Sequence, residues 1–237
     1  MASAERPPNQ LLQAIPAEDF EALHSQFKGF KMVRDTVLAE AGTPLSQIYF
    51  PHEGAVSIVV RLSEGQSVAA AIIGRDSVVG SFGCNDDGIS SIDAVVLFPG
   101  TASALDIDDF RTAVKRSAPL RSLLARHQQA LLAQVQQSAA CNTSHSVEAR
   151  LSRWLLHARD LHDGATLPLT QELIARMIGV QRNAISIVAH TLQQAGIISY
   201  SRGQISITNM EALRRTSCEC YEAVKAKHKR LIRTPHR

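Results

Sequence analysis

Residues Gln171–Ala195 read QELIARMIGVQRNAISIVAHTLQQA, and this stretch decides the fold. Leu173, Ile174, Met177 and Ile178 stand at helical spacing, which predicts a first short helix. Thr170 is a residue type that caps helix N-termini, although Leu173 three places on leaves the capping box incomplete. Gly179 supplies the permissive backbone of a tight turn. A second helix then carries Val180, Ile185, Val188 and Leu192 on its buried face. Its other face carries Gln181, Arg182, Asn183, Ser186 and His190. Polar groups at the start of a second helix sit where a recognition helix meets base edges. An arginine fork matches the two acceptors of guanine, and an asparagine amide matches the acceptor and donor of adenine.

An amphipathic helical hairpin with a solvated face has the same apolar pattern, so the residues that follow matter. After Gly196 the chain reads IISYSRGQISITN. Ile197, Ile198 and Tyr200 lead into the turn Ser201-Arg202-Gly203-Gln204, and Ile205 to Thr208 alternate, as in a β-hairpin. Arg202 in that turn is suited to a phosphate. Helix, turn, helix and hairpin is the winged-helix order. Charge points the same way. Residues 146–237 hold 14 Lys+Arg against 7 Asp+Glu, a net of +7, whereas residues 1–145 hold 11 against 15, a net of −4. The whole-chain value of +3 hides a basic C-terminal part that suits a polyanion. Part of the excess is the tail KAKHKRLIRTPHR, which also reads as a solvated run.

Upstream, residues 10–30 read as a short helical lead-in, with Pro16 near a helix start and Phe20, Leu23 and Phe27 on one face. From about Lys31 to Leu105 short apolar runs alternate with turn residues, and 7 of the 13 glycines fall between Gly54 and Gly100. That texture predicts an antiparallel sandwich or barrel, with Ser63–Gln66 as a hairpin loop. Asp106 or Asp108 is placed to cap the helix that follows. After Pro119 a long helix is predicted. Leu120, Leu124, His127, Leu131, Gln134 and Ser138 follow a 4-3-4-3-4 spacing, a heptad seam for pairing with a second copy. Packing on its own domain is the alternative. Cys141–Ser146 reads as a hinge, and Val147, Leu151, Trp154, Leu155 and Leu161 define the next helix, joined to the helix-turn-helix across Gly164 and Pro168. Residues 210–232 read as one extra terminal helix.

The expected organisation is therefore α+β, with a roll at 1–118, a dimerisation helix and hinge at 119–143, and a winged helix-turn-helix at 144–237. No run approaches the ~18 apolar residues of a membrane helix, and the N-terminus lacks an apolar signal core, so a cytoplasmic protein without membrane association is expected. The four cysteines (Cys84, Cys141, Cys218, Cys220) fit a reducing compartment. Cys218 and Cys220, two apart on one predicted helix, would point to opposite sides, so ordinary thiols and no metal site are expected. No phosphate loop, GxSxG or metal-ligand cluster supports an enzyme, and no cofactor is expected.

The order of these elements resembles the Crp/Fnr family of bacterial transcription regulators, whose members join a cyclic-nucleotide-binding β-roll to a long dimerisation helix and a winged helix. The strongest likeness lies in VEARLSRWLL and LTQELIARMIGVQRNAISIVAHTLQQAGII, with Ala175 and Gly179 where the motif has small residues. The resemblance implies a homodimer on palindromic double-stranded DNA. RNA polymerase and an unknown small-molecule effector are its further implied partners. It places Gln181, Arg182, Asn183, Ser186 and Ile187 on the reading face, beside Thr170, His190 and Arg202. The best-known members carry Arg-Glu where this chain has Arg182-Asn183, and arginine where it has Ile187. Asparagine prefers adenine and isoleucine touches only a thymine methyl, so a different operator is expected.

The sensor departs further. The resemblance puts the effector pocket at Gly80, Ser81, Ser91 and Asp93. Ser81 stands where the family's ribose-binding glutamate belongs, no arginine occurs from Asp76 to Thr101, and Asp93 falls at or beside the phosphate-binding arginine. A carboxylate repels a phosphate, so loss of the cyclic-nucleotide site is expected. A redox or haem sensor on the same scaffold is the alternative. For haem, His52, His127 or Cys84 are the available axial ligands, while an iron–sulfur version lacks N-terminal cysteines. His127, polar in mid-seam, is expected to set dimer register. A chain that kept the fold without DNA binding is a further alternative.

Overall fold

The computed structural model describes residues 5–63, 67–84, 88–162 and 164–232. The expected Ser63–Gln66 loop lies largely outside these residues, as do the side chain of Cys84 and the end of the basic tail. Two short helices, α1 (Gln10–Ala14) and α2 (Ala17–Leu23), open the chain, with Pro16 at the N-cap of α2. Asn9 is fully buried and uses its whole amide: Oδ1 accepts from Leu11 and Leu12, and Nδ2 donates to the carbonyls of Pro51 and Ser77. That cap pins the lead-in to the roll.

The roll is two antiparallel sheets. β1 (Lys28–Met32) and β3 (Gln47–Pro51) flank β7 (Gly100–Asp106) in one, in the order β1-β7-β3. β2 (Val37–Ala39), β4 (Ala55–Arg61), β5 (Ser67–Ile73) and β6 (Asp93–Phe98) form the other, in the order β2-β6-β4-β5. Successive residues of β4 from Ala55 to Ile58 are all buried. A strand buried on both faces needs cover on both. Inside lies the roll core, with Phe50 edge-on to both Phe27 and Phe110. Outside, Ala55, Ile72, Leu97 and Phe98 join a second core made mostly by the C-terminal domain.

Asp106 caps α3 (Ile107–Arg116) by accepting from the Asp108 amide. The long helix α4 (Ala118–Ser144) follows, then α5 (Val147–Leu161). The expected hinge at Cys141–Ser146 is shorter than its sequence suggests. Helix continues to Ser144, and the break is His145–Ser146, where Ser146 accepts from the Ala149 amide and caps α5.

The predicted dimer seam is turned the other way. Leu120, Leu124, His127, Leu131, Gln134 and Ser138 are all buried within the single chain. Gln134 donates to the carbonyl of Ile72 on β5, and His127 lies between Ser77 and Ser81 of the roll, 2.5 Å and 3.5 Å from their hydroxyls. A heptad pattern marks a face that must be buried, not the partner that buries it. The exposed face is a second heptad stripe: Ala118, Ser122, Ala125, Gln129, Leu132, Gln136, Ala139 and Thr143.

The terminal segment is also divided. α8 (Met210–Thr216) and α9 (Cys220–Ile232) are separated at Ser217–Glu219, and α9 returns along α4. Arg126 on α4 donates to the Leu231 carbonyl, and Gln137 to the Cys220 sulfur. No helix among the described residues is long and apolar enough to cross a membrane.

Two histidines titrate far from their ordinary range. Burial lowers His127 to about 4, assisted by His228 and opposed by Asp76. Burial likewise lowers His157 to about 4, where Asp76 and Asp160 oppose the shift and Arg153 assists it. Both are neutral in the fold, and both bind protons near pH 6.5 when unfolded. The stability they support is complete above the unfolded value and is lost as pH falls from about 6.5 towards 4. Chemical denaturation at pH 7 and pH 5 is expected to show a loss of about 2 kcal/mol per histidine, and His127→Gln with His157→Gln is expected to flatten that dependence.

Candidate nucleic-acid interface

Thr170 accepts from the Leu173 amide at 3.2 Å and starts α6 (Gln171–Ile178). The helix ends at Gly179, which is left-handed at φ 72°. A Cβ there would be strained by that backbone and would stand 3.2 Å from Val68 of the roll. The amides of Gly179 and Val180 both return to the Ala175 carbonyl. Arg150 of α5 donates to the Ile178 carbonyl, a cation at a helix C-terminus. α7 (Arg182–Gln194) then buries Ile185, Ala189 and Leu192. Val180, expected on that buried face, precedes the helix and is half-buried.

Gln181 at the N-cap of α7, and Arg182, Asn183, Ile187 and His190 along the helix, are all exposed. Ile187, at 68%, is the most exposed large apolar side chain among the described residues. Ser186 differs from its neighbours. It is half-buried, and its hydroxyl donates to Gln171 Oε1 at 2.6 Å, so it fastens α7 to α6.

The wing has three strands, not two. β9 (Ile198–Ser201) pairs with β10 (Gln204–Ile207), and β10 also pairs with β8 (Thr166–Leu167), which the sequence reading took as connection. Two residues carry no alternation to detect, so β8 had no sequence signal. Gln193 accepts from the Tyr200 amide and holds the wing against the end of α7, a role the sequence reading missed. Arg202 and Gly203 both have positive φ, 49° and 75°, the pattern of a type I′ turn. Glycine and asparagine suit such a turn, and arginine pays a backbone cost there. The exposed Arg202 is thus held at the wing tip, with Gly203 packed near Thr170.

The four expected effector-pocket residues have different surroundings. Ser81 is buried against His127, Ser91 is exposed, and Gly80 packs on Ile48. Asp93 accepts from the Ala41 amide and pairs with Arg61 at 2.9 Å. A cavity of about 400 Å³ lies elsewhere, between the outer sheet and α6, lined by Glu40, Arg61, Val95, Arg176 and Met177 among others. His52 is bonded to Ser103 through Nε2, and His127 is buried with both ring nitrogens against the hydroxyls of Ser77 and Ser81. The expectation that Cys218 and Cys220 point to opposite sides of one helix is corrected. Cys141, His145, Cys218 and Cys220 place their donor atoms within 4.8 Å of one another.

Residues 31–117 match the cyclic nucleotide-binding domain, and residues 149–216 match the Crp-like helix-turn-helix domain. No curated protein matches the chain in sequence. Solved structures share the fold. A putative Crp/Fnr-family transcriptional regulator from Eubacterium rectale superposes with a TM-score of 0.69 at 16% identity, over 87% of this chain and 96% of that one. FixK2 from Bradyrhizobium japonicum gives 0.68 at 17% identity, over 81% and 98%. The c-di-GMP-responsive regulator CLP of Xanthomonas campestris gives 0.63 at 18% identity, over 81% and 99%.

Two substitutions separate base reading from backbone contact. Arg182→Ala is expected to cost about 1–3 kcal/mol of specific DNA affinity and to relax preference at one base position. Arg202→Asn is expected to weaken binding evenly across sequences and lower the salt slope by about 1, while relieving the turn and raising thermal stability. Fluorescence anisotropy over a salt series, with a melting curve for each variant, checks both.

Proposed function

Because the chain belongs to the Crp-like transcriptional regulators, with both of their domains in one polypeptide, we propose that it works as a homodimer reading a palindromic operator without cyclic AMP. The observation that carries this reading is the exposed row Gln181, Arg182, Asn183, Ile187 and His190 on a helix whose opposite face is core. Asn183 suits adenine and Ile187 a thymine methyl, which favours an operator unlike that of members with an acid and a second arginine. We take 1–118, 119–143 and 144–237 as its functional divisions, a reading supported by the span of α4. A DNA-reading role implies a cytoplasmic protein, with RNA polymerase as the partner that would convert occupancy into regulation.

Burial of His127 against Ser77 and Ser81 supports loss of the nucleotide response. The serine at the family's ribose-binding position is covered by the long helix instead of facing a ligand. The exposed stripe from Ala118 to Thr143 supports pairing of two α4 helices. Small residues permit close approach, and Leu132, 55% exposed, is the apolar centre. An effector other than cyclic AMP remains compatible with this reading, and CLP shows by its description that this fold answers to c-di-GMP in one relative.

Operator selection from random duplex DNA with no added ligand is expected to return a palindrome with half-sites about one helical turn apart. Salt-sensitive binding without sequence preference would overturn ligand-free reading. Calorimetry with cyclic AMP and cyclic GMP is expected to show no micromolar binding. Leu132→Glu is expected to convert a dimer to a monomer in light scattering, whereas a dimer that survives it does not use this face.

A further inference from the structure

Four side chains far apart in sequence meet where α4 ends. Cys141 lies in its last turns, His145 caps it, Cys218 sits in the break between α8 and α9, and Cys220 begins α9. The three sulfurs are buried. Cys141 Sγ and Cys218 Sγ are 3.5 Å apart, and Cys220 Sγ is 3.6 Å from His145 Nδ1. All four donor atoms fall within 4.8 Å of one another.

We propose that Cys141, His145, Cys218 and Cys220 form a tetrahedral site for a thiophilic divalent ion, zinc. A tetrahedral zinc with bonds of about 2.3 Å to sulfur and about 2.0–2.1 Å to nitrogen has sulfur–sulfur edges of about 3.8 Å and sulfur–nitrogen edges of about 3.6 Å. The two short separations match these edges, and small side-chain rotations close the longer ones. Soft thiolates select zinc over the hard cations magnesium and calcium. Binding releases three thiol protons to solvent and leaves His145 neutral, so the filled site carries a net charge of −1.

The surroundings fit an anionic centre. His145 turns Nδ1 to the sulfurs while Nε2 lies 3.2 Å from Glu219 Oε1. A carboxylate behind a ligating imidazole fixes its tautomer and orientation. Gln137 donates to the Cys220 sulfur at 3.1 Å. Arg150 and Arg153, both buried, interact electrostatically with Cys141, and the Nε of each has no hydrogen-bond partner among the described residues. Two buried cations without full hydrogen bonding gain from a nearby negative centre. A Cys141–Cys218 disulfide would use two of the thiols but leave His145, Glu219 and Cys220 without a purpose.

The ion would join the end of α4 to the DNA-binding domain at its far terminus, holding α9 along α4 and fixing the break at His145–Ser146. The site itself does not depend on the DNA-reading proposal, and a failure of either is read separately.

The full chain, reduced and freed of metal by a chelator, is titrated with Co²⁺ and then Zn²⁺. One Co²⁺ per chain is expected, with intense tetrahedral bands and thiolate-to-cobalt charge transfer, bleached by Zn²⁺. Cys220→Ser is expected to abolish the charge-transfer signature or weaken affinity at least a hundredfold. Glu219→Gln, on an exposed side chain that leaves the fold intact, is expected to weaken Zn²⁺ affinity about tenfold. Absence of the tetrahedral spectrum, charge-transfer intensity and affinity both unchanged in Cys220→Ser, or a Cys141–Cys218 disulfide that survives reduction would each overturn the proposal.

Discussion

A long helix that buries His127 and Gln134 must give each a partner, because an unpaired polar group in a dry interior costs about 1–3 kcal/mol. Those partners all lie in this chain: Ser77 and Ser81 for His127, the Ile72 carbonyl and His157 for Gln134. Three consequences follow from that one constraint. The roll cannot slide along α4 without breaking these bonds. The imidazoles stay neutral, since the cost of burying a proton on either outweighs the attraction of Asp76 and Asp160. The opposite face of α4 is left for whatever else the helix touches. The helix is thus shared between an inner face that fixes the sensor and an exposed outer stripe in which Leu132 lies between Gln129 and Gln136, with small residues towards both ends.

The helix-turn-helix was legible because its signals are local. Gly179 marks a left-handed turn, Thr170 a cap, and the alternation after Gly196 a hairpin, and each concerns residues close in sequence. The roll was legible as a class, from short strands and frequent turns, but not in its strand order, which depends on long-range pairing. The seam failed for a different reason. Leu120 to Ser138 were correctly read as a face to be buried, but periodicity carries no information on which surface does the burying. The thiol cluster failed because one helix was assumed over residues 210–232. Once Ser217–Glu219 interrupts it, Cys218 and Cys220 no longer share a helical frame and can approach Cys141. Asp93 was legible as a departure from the family pattern, yet its partner Arg61 lies on a neighbouring strand and could not be foreseen from spacing.

The two domains are not independent beads. Arg34 of the roll donates to the Pro168 carbonyl, Ser57 meets the sulfur of Met177, and Ile72, Leu97 and Phe98 share a core with α5 and α6. A contact of this kind mixes apolar packing with hydrogen bonds, one of them, Ser57 to Met177, itself buried. It covers α6 and the turn at Gly179 but leaves the reading face of α7 in solvent.

This asymmetry constrains how such a molecule can be controlled. Covering α6 does not hide the groups that meet bases, so the docked domain is not silenced by occlusion. What docking does fix is the direction in which α7 projects from its own α4. In a dimer, two reading helices must enter successive major grooves about 34 Å apart, and a rotation of each domain on its roll changes that spacing without altering any base-contacting residue. In the homodimer proposed above, anything that alters the break at His145–Ser146 or the contact between α6 and β5 would alter which half-site spacing the pair can span. Both places lie within reach of side chains that the sequence alone had assigned no function, Cys141 and His145 at one and Arg34 and Met177 at the other.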